Sequence, residues 1–397
     1  MNRGKRFITA ILLFSLLVCC TGCKRSDINR REIDTIDFVR MVAIDAAQDE
    51  PEKMEVTMEL KGEESGGGSG ENSNSGQSGE KANLISATGN SFTEAFLQLQ
   101  AENDKLLNLA HSDFFLIGEE AAKRGLAPYL DFVSRSNQIQ FTANIFIVKG
   151  MQATEFMKQF SDANGTVGDQ LKNLSDKSRE LSFVSNTSVI QVMGMLDDPY
   201  NGMKIPYLEL RKTGEEQVDM EISGYALFRD AALIDYADTE ASRGMTFFSG
   251  EVYSGLIPVH DTDGMAVVTR ISDAKTKMKI RYEQNELRVQ VNTEIHTALE
   301  ETHSTKNLFL QEEYDTLISQ QNQYVKNLIL RAIEESKENH TDALSLATSF
   351  RMQHPVLWED LKENWIQRLE TARFEVNVSS KMDRSYDYEE ANRSEQS

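Results

Sequence analysis

His111-Ser-Asp-Phe-Phe-Leu-Ile-Gly-Glu-Glu-Ala-Ala-Lys-Arg-Gly125, followed by Leu130-Asp-Phe-Val-Ser-Arg135 and Thr142-Ala-Asn-Ile-Phe-Ile-Val-Lys-Gly150, decides the fold class. Asp113 to Ile117 reads as a strand, Glu119 to Ser134 as a helical stretch, and Phe141 to Val148 as an apolar strand. A strand, a helix and a strand with short connections imply a parallel pair joined by a right-handed crossover. The chain therefore contains a sheet with helices packed on it.

Upstream, the first ordered segment begins near Ile33, and Ile36 to Ile44 predicts a buried strand. Met54, Val56, Met58 and Leu60 alternate with charged or hydroxyl residues, the pattern of a half-exposed strand. From 63 to 80 the composition turns to Gly, Ser, Asn and Gln, which offers no apolar surface to offset ordering entropy and predicts a flexible insert. It holds no GxGxxG and no Walker lysine, so no phosphate cradle is expected. Ser91 with Glu94 forms a capping box for a helix on which Phe92, Phe96, Leu99 and Leu106 share a face.

Downstream, residues 151–196 read as mostly helical, with polar breaks at Asp162–Gly165 and around Ser182. After Pro206 strands follow: Val218 to Phe228, Val252 to Val259, Met265 to Ile271, Met278 to Tyr282 and Glu286 to Ala298. Asp261-Thr-Asp-Gly264 lacks the later ligands of an EF-hand and reads as a hairpin turn. A long helix from Leu308 to Lys337 carries a stripe of Leu310, Tyr314, Leu317, Val325, Leu328 and Ala332, fit to pack on its own sheet or, less commonly, on a partner. Pro355 starts a helix with Leu357, Leu361, Trp365 and Leu369 inward, and Phe374 to Val378 reads as a last strand. Beyond Met382 an acidic tail is expected to be disordered.

The N-terminus carries an export signal. Arg3, Lys5 and Arg6 precede the 12-residue apolar run Phe7 to Val18, which is too short for a permanent span. Thr21 and Gly22 then place small side chains before Cys23, as a lipobox requires, although Cys20 stands where Leu is usual. Cys23 is the expected site of lipid attachment, and the competing reading is a secreted chain with Cys23 left free. The cysteines are Cys19, Cys20 and Cys23, so the mature body is expected to have no disulfide, thiolate metal site or cysteine nucleophile. Net charge is −21, which disfavours nucleic acid. Next to Cys23, however, Lys24, Arg25, Arg30 and Arg31 either add electrostatic attachment at an anionic surface or form a solvated linker.

No catalytic set emerges. His111, His260, His296, His303, His340 and His354 are scattered, with His296 and His303 expected on different faces. HExxH, GxSxG and a P-loop are lacking, and the one CxxC spacing, Cys20-Thr-Gly-Cys23, falls in the leader. With 63 Asp and Glu residues, adjacent pairs such as Asp197-Asp198 or Glu119-Glu120 carry no acid–base argument. The Asn-x-Thr triplets at Asn164 and Asn339 carry none either. No metal, cofactor or catalytic residue is assigned.

The opening stretches resemble the N-terminal domain of the spore germination protein Ger(x)C family, the lipoprotein C subunits of GerA-type nutrient germinant receptors. The resemblance continues at Arg31-Glu-Ile33, Val42-Ala-Ile-Asp45, Gly224-Tyr-Ala-Leu-Phe228, Ser249-Gly250, Asp342, Pro355, Trp358 and Trp365. Lys24-Arg25, Arg135-Ser-Asn137 and Ala347 depart from the family pattern. The resemblance implies an elongated α+β protein of three small domains, each a mixed β-sheet flanked by helices. It also implies a non-catalytic subunit on the outer face of the spore inner membrane, beside two integral-membrane subunits.

The expected division is 1–22 signal peptide, 23–32 lipidated basic tether and 33–196 N-terminal α/β domain. A strand-rich middle domain (197–283), a C-terminal α+β domain (284–382) and a tail (383–397) follow. A solute-binding lipoprotein of a transporter is the alternative, and would need two doubly wound lobes around a cleft. A cell-wall hydrolase would need a nucleophile or metal set.

Overall fold

The computed structural model describes residues 33–50, 52–61, 82–136, 139–198, 200–213 and 218–383. The leader, Cys23, the tether and the insert from 63 to 80 lie outside the described residues, as does all of the tail beyond Asp383.

After a 3-10 turn at Ile33–Thr35, the described residues run through β1 (Ile36–Ala46), β2 (Met54–Leu60), β3 (Asn83–Gly89), helix α1 (Phe92–Glu102), β4 (Leu106–Asn108) and β5 (Phe114–Gly118). Helices α2 (Glu119–Arg124) and α3 (Ala127–Arg135) lead to β6 (Asn144–Val148), and α4 (Ala153–Asn164), α5 (Val167–Glu180) and α6 (Val189–Leu196) follow. Next come β7 (Met203–Lys212), β8 (Val218–Arg229), β9 (Ala232–Tyr236) and α7 (Thr239–Ser249). The final part holds β10 (Leu256–His260), β11 (Ala266–Glu283), β12 (Glu286–Thr302), α8 (Gln311–Glu338), α9 (Leu346–Gln353), α10 (Pro355–Leu361), α11 (Trp365–Glu370) and β13 (Arg373–Asp383).

Among the described residues β1 to β9 form one mixed sheet of order β3-β2-β1-β5-β6-β7-β8-β9, with β4 also on β1. The expected parallel pair is present: Phe115 lies opposite Ile145 and Ile117 opposite Ile147. Its crossover is two helices, because Gly125 (φ +104°) ends α2. On β5, Phe115 and Ile117 pack toward α1, α3 and α6, while Phe114 and Leu116 pack toward α4 and α5. A sheet covered on both faces needs this unbroken apolar run.

The same covering corrects the reading of β2. Thr57 and Glu59 are fully buried rather than solvent-facing, because α4 and α5 cover their face. Leu106, expected on α1, lies in β4 instead.

The second sheet has order β10-β11-β12-β13. Met265 to Ile271 and Met278 to Tyr282, read as two strands, fall, apart from Met265 itself, in the single strand β11, with irregular pairing at Ile271–Asp273. The Asp261–Gly264 hairpin turn joins β10 to β11, the Asp261 carboxylate accepting from the N–H groups of Asp263 and Met265. Helix α8 packs on α7, β10 and β13 of its own chain. Leu357 is 42 % exposed and Trp358 is buried in its place. A 3-10 turn at Lys362–Asn364 resets the helical phase before Trp365.

Strand pairing crosses both divisions expected from the sequence. β6 pairs with β7 across 196/197, and β11 with β12 across 283/284. Period-two patterning reveals a strand but not its neighbour. Two doubly wound lobes, which a solute-binding protein would need, are not the architecture of this α+β fold.

Candidate functional site

The histidines do not converge. His111 stacks edge-on with Phe38, His260 lies on β10, and His296 is 3.4 Å from Asp383. His303 contacts Glu301, His340 contacts Glu370 at 2.6 Å, and His354 Nε2 meets the Ile280 carbonyl at 2.8 Å. Among the described residues no three His, Cys, Asp or Glu side chains are placed to hold a metal, and no helix is long and apolar enough to cross a membrane.

The structure does bring together the residues that carried the family resemblance, and each group surrounds a buried polar side chain. Asp45, at the end of β1, accepts from the N–H groups of Ala153 (2.7 Å) and Thr154 (2.8 Å) at the start of α4. A Cβ on Gly118 would overlap this carboxylate, so only glycine fits there. Glu59 does the same for α5, accepting from Val167 at 2.9 Å and Gly168 at 3.0 Å. Asp342 accepts from Leu346 (2.8 Å) and Ala347 (2.6 Å) at the start of α9, and from Trp365 Nε1 at 3.0 Å.

Each carboxylate satisfies orphan donors and meets the positive end of a helix dipole. Burial nevertheless dominates. It pushes Asp45 up to about 6 and Asp342 up to about 7, against the opposing pull of their N–H donors, and it raises Glu59 as well.

A second group ties the first sheet to α7. Tyr225 is fully buried on β8, and its hydroxyl meets the Ser185 N–H (2.5 Å), Ser185 Oγ (2.8 Å) and Thr246 Oγ1 (3.2 Å). Ser185 Oγ also donates to Glu251 at 2.7 Å. Lys204 Nζ lies 5.5 Å from the Tyr225 ring and donates to Ser249 at 2.6 Å. Burial lowers the Lys204 ammonium below its usual range. A Cβ on Gly224 would stand 2.6 Å from the Ala237 carbonyl.

Nearby, Thr341 donates to the Phe228 carbonyl at 2.6 Å and packs over Gly202. Arg243, 7 % exposed, bridges Tyr324 and the Leu256 carbonyl, with the rings of Phe183, Phe247 and Tyr324 about it. These bonds fix elements to one another. The Ser185 hydroxyl has a carboxylate and a phenol as partners, and no imidazole to activate it.

Sequence reasoning quoted Asp45, Gly224, Tyr225 and Asp342 without a role, placed Trp365 only as an inward helix residue, and passed over Glu59, Ser185, Lys204 and Arg243. An acid at an inward position of an apolar strand, as in Val42-Ala-Ile-Asp45, was the available signal.

The geometry defines an α+β protein of two mixed sheets whose motif residues pin helices to their neighbours. The chain belongs to the Ger(x)C family of spore germination proteins. Residues 29–210 match the family described as "Spore germination protein N-terminal domain", and residues 223–386 match "Spore germination B3/ GerAC like, C-terminal". In Bacillus subtilis (strain 168), the spore germination protein YndF is 21% identical over 95% of this chain and 97% of its own length. From the same organism, spore germination protein KC is 19% identical over 91% of each, and the putative spore germination protein YfkR is 28% identical over 55% of this chain and 56% of its own. The crystal structure of the GerBC protein shares the fold, with a TM-score of 0.56 at 14% identity over 86% of this chain and 97% of that one.

Proposed function

We propose that this chain is a non-catalytic subunit of a nutrient germinant receptor. Cys23 anchors it by lipid on the outer face of the spore inner membrane, and it works with two integral-membrane subunits. The observation that carries this reading is the extent of the family match, which takes in both family regions from residue 29 to residue 386. The motif residues within that span hold buried structural bonds, which suits a protein that acts by docking. Within the reading, residues 23–32 are a basic tether and 383–397 an acidic tail. The three-part division of the body remains the family expectation.

The test is a Cys23→Ala chain expressed in spores lacking the native protein. The expected result is loss of lipid labelling, unprocessed precursor and loss of nutrient-triggered germination, while the wild-type chain co-purifies with two membrane proteins. Normal labelling of the variant, or full nutrient response without the chain, would overturn the reading.

A further inference from the structure

On β11 every second residue from Lys275 to Arg281 is a cation: Lys275, Lys277, Lys279 and Arg281. The residues between them point inward, with Ile280 fully buried and Thr276 donating to the Phe247 carbonyl at 2.7 Å. The four cations therefore line the outer face of the second sheet, and all four are exposed. Register extends the charge sideways, since Arg281 lies opposite Arg288 on β12, and Arg288 opposite Arg373 on β13.

Like charges placed directly opposite one another destabilise a sheet, and here they are weakly answered. Glu283 is 3.7 Å from Arg281, and Glu286 is 3.9 Å from Arg288 and 3.0 Å from Arg373. Among the described residues no carboxylate forms an ion pair with Lys275, Lys277 or Lys279. Asp273, Glu294, Glu375 and Asp383 are the other acids on this face, Glu294 lying directly opposite Lys275 in the register. A shallow cavity of about 230 Å³ is lined by Lys279, Arg281, Arg288 and Arg373, with Glu283 and Glu375 also on its wall. The chain that carries this face has a net charge of −21.

We propose that the outer face of β11–β13 docks on an anionic phospholipid bilayer, with headgroup phosphates seated among Lys279, Arg281, Arg288 and Arg373. The inference rests on the membrane-anchored reading above and adds an orientation to it. Charge complementarity selects the occupant. Unpaired lysines are hydrated point charges on flexible stems, suited to a diffuse negative plane. The sign is opposite to that of the chain as a whole, so an anionic surface attracts this face and repels the molecule in other orientations. Each basic residue near such a surface contributes about 1 kcal/mol, or about fivefold in binding.

The test uses the chain from residue 23 with Cys23→Ala, which has neither leader nor acyl group, sedimented with vesicles. Phosphatidylcholine vesicles are compared with phosphatidylcholine–phosphatidylglycerol vesicles at low and high salt. The expected result is salt-sensitive binding to the anionic vesicles alone. The triple variant Lys275→Gln, Lys277→Gln, Lys279→Gln should bind about 100-fold more weakly with an unchanged melting temperature, since the three side chains are exposed. Equal binding by the variant would assign the attraction to Lys24–Arg31 and overturn the proposal. Binding of inorganic phosphate or of a polyglutamate peptide without binding to anionic vesicles would overturn it too. Because this protein is unacylated, failure here leaves lipidation of Cys23 untouched, and failure of lipid labelling leaves this result standing.

Discussion

Trp365 Nε1 donates to Oδ2 of Asp342 across 3.0 Å, in a site where Asp342 is wholly shielded from solvent. The bond ties α11 to the start of α9. Beside it, Thr341 bonds to the Phe228 carbonyl of β8. One short segment thus holds the C-terminal helices together and fastens them to the first sheet.

This site should respond to pH with a definite sign. Burial raises the Asp342 carboxyl from 3.8 to about 7, so between those values the folded state holds the proton more tightly than the unfolded chain. The stabilisation is complete at low pH and is lost as pH rises through about 7. In urea unfolding, the stability advantage of the wild type over Asp342→Asn should shrink by about 2–3 kcal/mol from pH 5 to pH 8. A gap that stays constant over that range would mean the carboxyl is ionised at both.

Gly118→Ala addresses the first clamp. The new Cβ would displace the Asp45 carboxylate from the N–H groups of Ala153 and Thr154. Two buried donors left unsatisfied cost about 2–4 kcal/mol, to be read as a lowered midpoint in chemical denaturation. An unchanged midpoint would show that Asp45 has room to move.

Ala231→Gly should stabilise. Asp230 and Ala231 make the β8–β9 turn at φ 51° and 65°, a left-handed geometry that suits glycine and strains alanine. The expected gain is about 0.5–1 kcal/mol, measurable as a rise in melting temperature. A fall would mean that glycine's extra freedom in the unfolded chain outweighs the relieved strain.

Deleting Ser65 to Gly79 should leave the fold intact. Leu60 and Asn83 are directly paired across β2 and β3, so the ends of the insert already meet. Shortening the loop lowers its closure cost by about 1 kcal/mol. A loss of more than about 2 kcal/mol on thermal or urea unfolding would indicate that the insert packs on the body.

The elements legible in the sequence were those whose pattern is local. The apolar runs at 114–117 and 145–148 and the stripe on α8 marked a buried sheet and its covering helix. Helix α7 was not legible. Its Ser242, Gly244 and Thr246 weaken helical propensity, and what holds it is tertiary: Gly244 packs against the Leu328 carbonyl of α8, and Gly250 closes its end at φ 72°. Glu59 looked like a solvent-facing residue because its partners, Val167 and Gly168, lie far along the chain. The family motifs were visible as letters, but their role depends on contacts between segments, such as Asp45 with Ala153, that spacing does not encode. The reading of Cys23 as a lipid site rests on the leader alone, and Cys23 lies outside the described residues.

Strand β1, the first strand of the described residues, is an interior strand, with β2 antiparallel on one side and β4 and β5 parallel on the other. A pull arriving through the residues before Ile36 would therefore not peel an edge. It would load ladders on both sides of β1 in shear, so many hydrogen bonds would have to fail together before the strand slid. Under the lipid anchorage proposed above, a body held at such a point should follow the membrane as one piece.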